Sequence, residues 1–365
     1  MSGSGATEWR ALPAALSREE LALWCSSIPG PVAVTGGTGF IGSHVVGALV
    51  DGGVPLRLLV RDPGKISGRA GAAEVVAGDL NREGALSRLL SGCRGVVHLA
   101  GLVRSASPAA FDLANRAGTE RLVETLAGTS PDARLVYLSS LAAIGPSPDP
   151  GGVGPEAPPR PVSAYGRSKL AGEAAVRAHP GVWVILRPPT TYGPRETDVL
   201  QFFRLVALGL VPYPRGERFV TVAYVADVVR AVLAALAGAG DRRTLHLGAP
   251  APGSLRGMLE IIAETGGLTI RALPLPALAV RAVALGGDVL HLLGVRRVTL
   301  TSDKARELLA RHWVARTEDS LRALGLAGTV PLRDGFAATW AWYRDAGWVP
   351  HAKIRARTGR HSERL

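Results

Sequence analysis

PVAVTGGTGFIGSHVV, residues 31–46, places a short apolar run, a cluster of glycines and a helix-like continuation in immediate succession. Gly36, Gly39 and Gly42 sit where a strand would hand over to a helix. Glycine lets such a turn take φ > 0 and lets backbone N–H groups come close to a pyrophosphate, whose charge the helix N-terminus favours. Phe40 and Ile41 open the helix and belong to the same cradle. The stretch therefore predicts a nucleotide-binding turn.

Working outward, short β-branched runs alternate with longer helical patterns. The strands read are 32–35, 56–60, 74–77, 95–99, 134–139 and 182–186, and the helices between them are 39–51, 81–90, 108–126 and 164–177. That alternation predicts right-handed βαβ units, hence a Rossmann-type, doubly wound parallel sheet of the α/β class. The core is expected over 31–190. A smaller, mainly helical substrate lobe is expected over 191–348, interleaved with a last core strand at about 243–250. Residues 1–30 read as an arm with a helix near 18–26, and 349–365 as a basic tail. Residues 145–162 carry seven prolines and join a strand end to a helix, so they are expected as an irregular loop bordering the site.

Of the 365 residues, 47% are hydrophobic and 20% charged, which excludes a disordered polyelectrolyte. Cys25 and Cys93, the two cysteines, form neither a disulfide framework nor a zinc-ligand spacing, so no metal is expected and a reducing cytoplasm fits. The N-terminus lacks a signal-peptide pattern, and the apolar run 273–294 is broken by prolines, Arg281, Asp288 and His291. The formal charge is +12, with only four lysines among 42 basic residues. No aromatic residues interleave the basic tail, so nucleic acid is not expected as a partner. A solvated tail is the first reading, and peripheral contact with an anionic membrane the lesser one.

Chemistry concentrates at predicted strand ends. The second strand ends in Arg61, Asp62 and Lys65, where an arginine suits a ribose 2′-phosphate and a carboxylate a 2′-hydroxyl; the order favours NADP(H), with NAD(H) as the other option. Asp79 and Leu80 follow the third strand, where the carboxylate can accept from an adenine amino group. Leu99, Ala100 and Gly101 end the fourth beside the expected dinucleotide. His98, inside that apolar strand, reads as a hydrogen-bonded core histidine rather than a base. Ser139 and Ser140 end the fifth strand, on the sheet edge where ligands bind.

Tyr165 and Lys169 lie four residues apart and project from one helix face. A phenol of ordinary pKa near 10 is a poor proton shuttle at neutral pH, and a neighbouring ammonium is expected to bring it down. The expected roles are Tyr165 as general acid or base, Lys169 as the group that lowers its pKa, and Ser140 as the hydroxyl that orients the substrate oxygen.

The motifs TGGTGFIG, GDL, VVHLAG, NRAGTERLVE, YLSS, the Tyr165/Lys169 pair and LRPPTTYGP together resemble the extended short-chain dehydrogenase/reductases, the NAD-dependent epimerase/dehydratase family. The match runs from about 31 to 250. The resemblance implies that Asn115 lies near the cofactor, that Ser140 is the catalytic hydroxyl, that Lys169 also contacts the nicotinamide ribose, and that Pro188 and Pro189 pass close to the nicotinamide carboxamide. It also implies a homodimer seam built from helices 108–126 and 164–177.

Two departures bear on activity. Leu141 and Ala142 stand where the sugar-nucleotide dehydratases carry an acidic pair, and Thr190 where nucleotide-sugar members commonly carry asparagine. The C-terminal runs are similar to the 3β-hydroxysteroid dehydrogenase-like and dihydroflavonol reductase-like branches. The expected function is NAD(P)-dependent hydride transfer to or from a carbonyl or secondary alcohol of an apolar alicyclic or aromatic small molecule. A nucleotide-sugar 4-epimerase is the alternative, and a non-catalytic dinucleotide sensor the alternative of another class.

Overall fold

The computed structural model describes residues 16–66, 71–105, 107–292 and 300–350. Most of the N-terminal arm, the basic tail beyond 350 and the Lys65 side chain lie outside what it describes.

The strands in chain order are β1 (Val32–Thr35), β2 (Leu56–Val60), β3 (Glu74–Ala77), β4 (Gly95–His98), β5 (Arg134–Leu138), β6 (Trp183–Arg187), β7 (Thr190–Tyr192), β8 (Leu210–Pro214), β9 (Phe219–Val220), β10 (Val222–Tyr224), β11 (Arg243–His246), β12 (Gly253–Ser254), β13 (Arg271–Leu275) and β14 (His312–Trp313). The α-helices are α1 (Arg18–Cys25), α2 (Phe40–Asp51), α3 (Glu83–Leu90), α4 (Pro108–Phe111), α5 (Gly118–Thr129), α6 (Ala164–Arg177), α7 (Leu200–Ala207), α8 (Val225–Leu236), α9 (Leu255–Thr265), α10 (Ala277–Leu292), α11 (Ser302–Leu309), α12 (Glu318–Ala323) and α13 (Leu332–Asp345).

Seven strands form one parallel sheet in the order β11-β6-β5-β4-β1-β2-β3. Alternation along each strand explains why both of its faces are covered. Val32 and Val34 of β1, Val97 of β4, Val136 of β5 and Val184 of β6 pack in one layer with α2 and α8. Ala33, Val96, Leu135, Tyr137 and Ile185 point the other way, toward α3, α5 and α6. Strands apolar on both faces are what a helix-covered parallel sheet requires. The chain order reverses between β1 and β4, which opens a crevice at their C-terminal ends.

One expectation needs correction. The stretch 108–126 is not one continuous helix: α4 stops at Phe111, a π-turn spans Asp112–Ala117, and α5 continues to Thr129. The widened turn coincides with Asn115, whose side chain bonds the loop after β4 instead of lying along the helix. The C-terminal region is mainly helical as expected, and among the described residues it also holds three small sheets, β10-β7, β12-β9-β14 and β13-β8. Their strands run two to five residues, too short to show a period in the sequence. The aromatic cluster Tyr192, Phe203, Phe336, Trp340 and Tyr343 forms the buried centre of this region.

Candidate active site

Gly36 leaves β1 with φ +73, and a Cβ there would fall 2.5 Å from the Ala100 nitrogen at the end of β4. Only glycine allows the two strand ends to come that close. A Cβ on Gly42 would collide with the Gly36 carbonyl, so Gly42 keeps α2 pressed on the turn. Gly39 is different: it is the N-cap of α2, with φ −74, and a Cβ there would meet only the Gly36 oxygen at 3.2 Å. No side chain caps this helix, and its first turn holds no acidic residue. The N–H groups of Phe40 and Ile41 therefore face the crevice without a competing anion, which is the arrangement a dinucleotide pyrophosphate needs.

The opposite wall is fixed by buried polar groups. Thr35 bonds His98 Nδ1 at 2.7 Å and accepts from the Ala100 N–H at 3.3 Å; His98 Nε2 lies 3.0 Å from Thr119 Oγ1. Burial, then the Lys169 charge, holds His98 down to about 3, so it is a neutral core residue that braces the end of β4. Asn115 donates to the Leu102 carbonyl and to Ser168 Oγ, both at 2.9 Å, and its Oδ1 accepts from the Leu102 N–H at 2.7 Å. It shapes the Leu99, Ala100 and Gly101 wall, and its Oδ1 would lie 2.9 Å from a Cβ on Gly101.

Elsewhere on the rim, Arg61 is exposed just past β2, and Asp62 accepts from the Gly64 N–H at 3.2 Å. Asp79 accepts from the Asn81 N–H at 2.8 Å, and Leu80 packs beside Gly118. Pro188 and Pro189 are buried beyond β6, and the Pro188 carbonyl accepts from the Leu141 N–H at 2.9 Å, tying β6 to the Ser140 turn.

The two serines after β5 separate cleanly. Ser139 is buried and donates to Glu173 Oε1 at 2.6 Å. Glu173 also receives Arg187 through both carboxylate oxygens, each at 2.7 Å, and Arg177 at 3.0 Å. Burial would raise the Glu173 carboxyl, but the Arg187 guanidinium outweighs it and holds it below the usual range. Ser140 remains partly open and accepts from the Ala142 N–H at 3.1 Å, and its hydroxyl is among the groups that act to lower the Tyr165 phenol.

The Tyr165–Lys169 pair departs from expectation in its electrostatics. Burial pushes the Tyr165 phenol up to about 12, against the opposing effect of the Ser140 hydroxyl; Lys169 is not among the groups that lower it. Lys169 is itself held down to about 7 by burial, donates to the Leu138 carbonyl at 2.6 Å, and lies 4.5 Å from the centre of the Tyr137 ring. In this structure the amine is engaged by the Leu138 carbonyl rather than by the phenol one turn away. Nζ nevertheless lies where a Cβ on Gly101 would be 3.6 Å distant, at the dinucleotide wall.

Other neighbours of Tyr165 were not legible in the sequence. The Phe111 ring lies 5.9 Å away, Asp303 accepts from the Ala164 N–H at 3.1 and 3.2 Å, and the Glu307 carboxylate opposes ionisation of the phenol. They come from α4 and α11, far off in sequence. The glycine turn, the β4 end, Ser140, Tyr165 and Lys169 thus bound one crevice. Among the described residues, no group of three or more His, Cys, Asp or Glu could hold a metal ion.

The pattern shared by NAD dependent epimerase/dehydratase proteins matches residues 32–248. The chain belongs to that family. A ceramide reductase from Caulobacter vibrioides is 34% identical over 330 residues, 88% of this chain and 96% of its own length. A ketoreductase from Stigmatella aurantiaca that acts on 4-hydroxy-2-methyl-3-oxo-4-farnesyl-3,4-dihydroquinoline-1-oxide is 30% identical over 324 residues, 81% of this chain and 96% of that protein. Among solved structures, MoeE5 in complex with UDP-glucuronic acid and NAD superposes with a TM-score of 0.69 at 27% identity, covering 87% of this chain and all of that one.

Proposed function

We propose that this enzyme is an NADP(H)-preferring oxidoreductase that interconverts a carbonyl and a secondary alcohol on an apolar substrate. The observation that carries the reading is the meeting of Ser140, Tyr165 and Lys169 at the wall built by Gly36 and Ala100. When bound, the nicotinamide supplies or accepts the hydride. Ser140 orients the substrate oxygen, and Tyr165 gives that oxygen a proton in reduction or takes one in oxidation. Lys169 holds the ribose side of the site.

The preference for NADP(H) is supported by Arg61, which is exposed at the adenosine end, while Asp62 bonds its own loop. An apolar substrate is supported by two relatives whose names specify ceramide and a farnesyl-bearing quinoline ketone, which adds long-chain ketones to the alicyclic and aromatic ones. A second reading, nucleotide-sugar 4-epimerase, draws on the likeness to MoeE5 with its UDP-sugar. Leu141 and Ala142, both buried and apolar, supply no acid for a dehydratase.

The test follows the absorbance of reduced nicotinamide. Purified protein is given NADPH or NADH with long-chain and cyclic ketones or with UDP-sugars. Net consumption of NADPH with an apolar ketone is expected. Epimerisation of a UDP-sugar with no net consumption would overturn the reading in favour of the second.

A further inference from the structure

The helix α10 carries two apolar stripes. The inner one, Val280 and Ala284, is buried against Ala305, Leu308 and Leu309 around α11. The outer one, at helical spacing i, i+4, i+7 and i+11, is Leu278, Ala282, Leu285 and Val289; Leu278, Leu285 and Val289 are 77%, 62% and 51% exposed. Val283 and Leu290 widen it. A helix apolar on both sides normally lies inside a protein, yet this one leaves one side uncovered. At 16 residues α10 is short for a span, and no helix among the described residues is long and apolar enough to cross a membrane. It is long enough to lie in an interface.

Charge selects the occupant. Among the described residues from 271 to 292 the formally charged side chains are Arg271 and Arg281 against one acid, Asp288. The Asp288 carboxylate accepts from the Ser302 N–H at 3.1 and 3.3 Å, so it is engaged at the start of α11, while Arg271 and Arg281 are exposed. A two-fold contact between copies would set this cationic patch against itself. An anionic surface with an apolar interior matches both the stripe and its rim. The hairpin also reaches the site: Asp303 of α11 accepts from the Ala164 N–H, next to Tyr165.

We propose that the outer stripe of α10 docks on an anionic phospholipid bilayer, placing the mouth of the site beside a membrane-held substrate. This rests on the apolar-substrate reading above, and its test reads no turnover. Full-length protein is floated with vesicles of phosphatidylcholine alone, or with about a third phosphatidylglycerol. Wild type should float with the anionic vesicles, less with neutral ones, and less as salt rises. The Leu278→Glu/Leu285→Glu variant should bind about a hundredfold more weakly, about tenfold per leucine, with NADPH titration and melting temperature unchanged. An Arg355→Gln/Arg357→Gln/Arg360→Gln variant should still bind.

The proposal is overturned if wild type stays unbound, if the double leucine variant floats as well as wild type, or if only the tail variant loses binding. It is equally overturned if wild type is a dimer that the leucine substitutions dissociate, since a second copy then covers the stripe. Flotation without turnover of any apolar ketone would uphold the docking surface and overturn the substrate reading alone.

Discussion

Replacing Gly36 and Gly39 separately by alanine distinguishes a glycine that builds the crevice from one that leaves room for its occupant. At Gly36 the side chain must be held at φ +73, which costs about 1–2 kcal/mol. Its Cβ also meets the Ala100 nitrogen at 2.5 Å and the Leu99 carbonyl carbon at 2.6 Å, all backbone, so β4 must shift; overpacking of that kind costs about 1–3 kcal/mol. Gly36→Ala should therefore lose roughly 2–5 kcal/mol of stability and most of its cofactor affinity. At Gly39 φ is −74 and the nearest atom is 3.2 Å away, so stability should fall by less than about 1 kcal/mol. The new methyl stands at the open N-terminus of α2, and losing even one charge-assisted phosphate contact weakens NADPH binding by about tenfold or more. Urea unfolding and NADPH fluorescence titration read the two effects independently. Wild-type affinity in Gly39→Ala would refute the placement of the pyrophosphate at this helix end, and an unchanged unfolding midpoint in Gly36→Ala would refute the packing argument.

Ser139→Ala and Ser140→Ala should separate in the same way: the first lowers stability by about 1–3 kcal/mol by leaving Glu173 short of a donor, and the second lowers turnover with little change in unfolding. Glu173→Gln removes the charge facing Arg187, which is 2% exposed, and should cost about 3–5 kcal/mol in urea unfolding. Lys169, held down to about 7 in the fold, keeps its proton to about pH 10 when unfolded. Unfolding then takes up a proton between those values, so stability rises with pH by about 1.4 kcal/mol per unit, and Lys169→Met should abolish that rise. Glu196 runs the opposite way: burial lifts its carboxyl to about 7, so its contribution is present at low pH and lost as pH climbs from about 4.5 to 7. Glu196→Gln should flatten that loss, seen as a smaller change of melting temperature across the window.

The parallel sheet was readable because its strands are short apolar runs bounded by glycine, and α6 matches the reading at both ends, Ala164 and Arg177, because Ser163 supplies a side-chain cap. The glycine turn and the Tyr165/Lys169 spacing are local, so sequence carried them too. The π-turn at Asn115 was missed because its cause is a loop thirteen residues away. Likewise the Ser139–Glu173–Arg187 cluster and the Asp303 contact on α6 join elements whose proximity only the topology sets. The surroundings of Lys169 were hidden for a related reason: spacing gives the helix face, but burial and the contact with the Leu138 carbonyl come from the topology.

The most direct test of the central claim compares Tyr165→Phe with wild type in net NADPH consumption and in NADPH affinity. Loss of the hydroxyl should cut turnover by about 10²–10⁴-fold while the dissociation constant for NADPH stays the same. Turnover within a few-fold of wild type would contradict the assignment of the proton to this phenol.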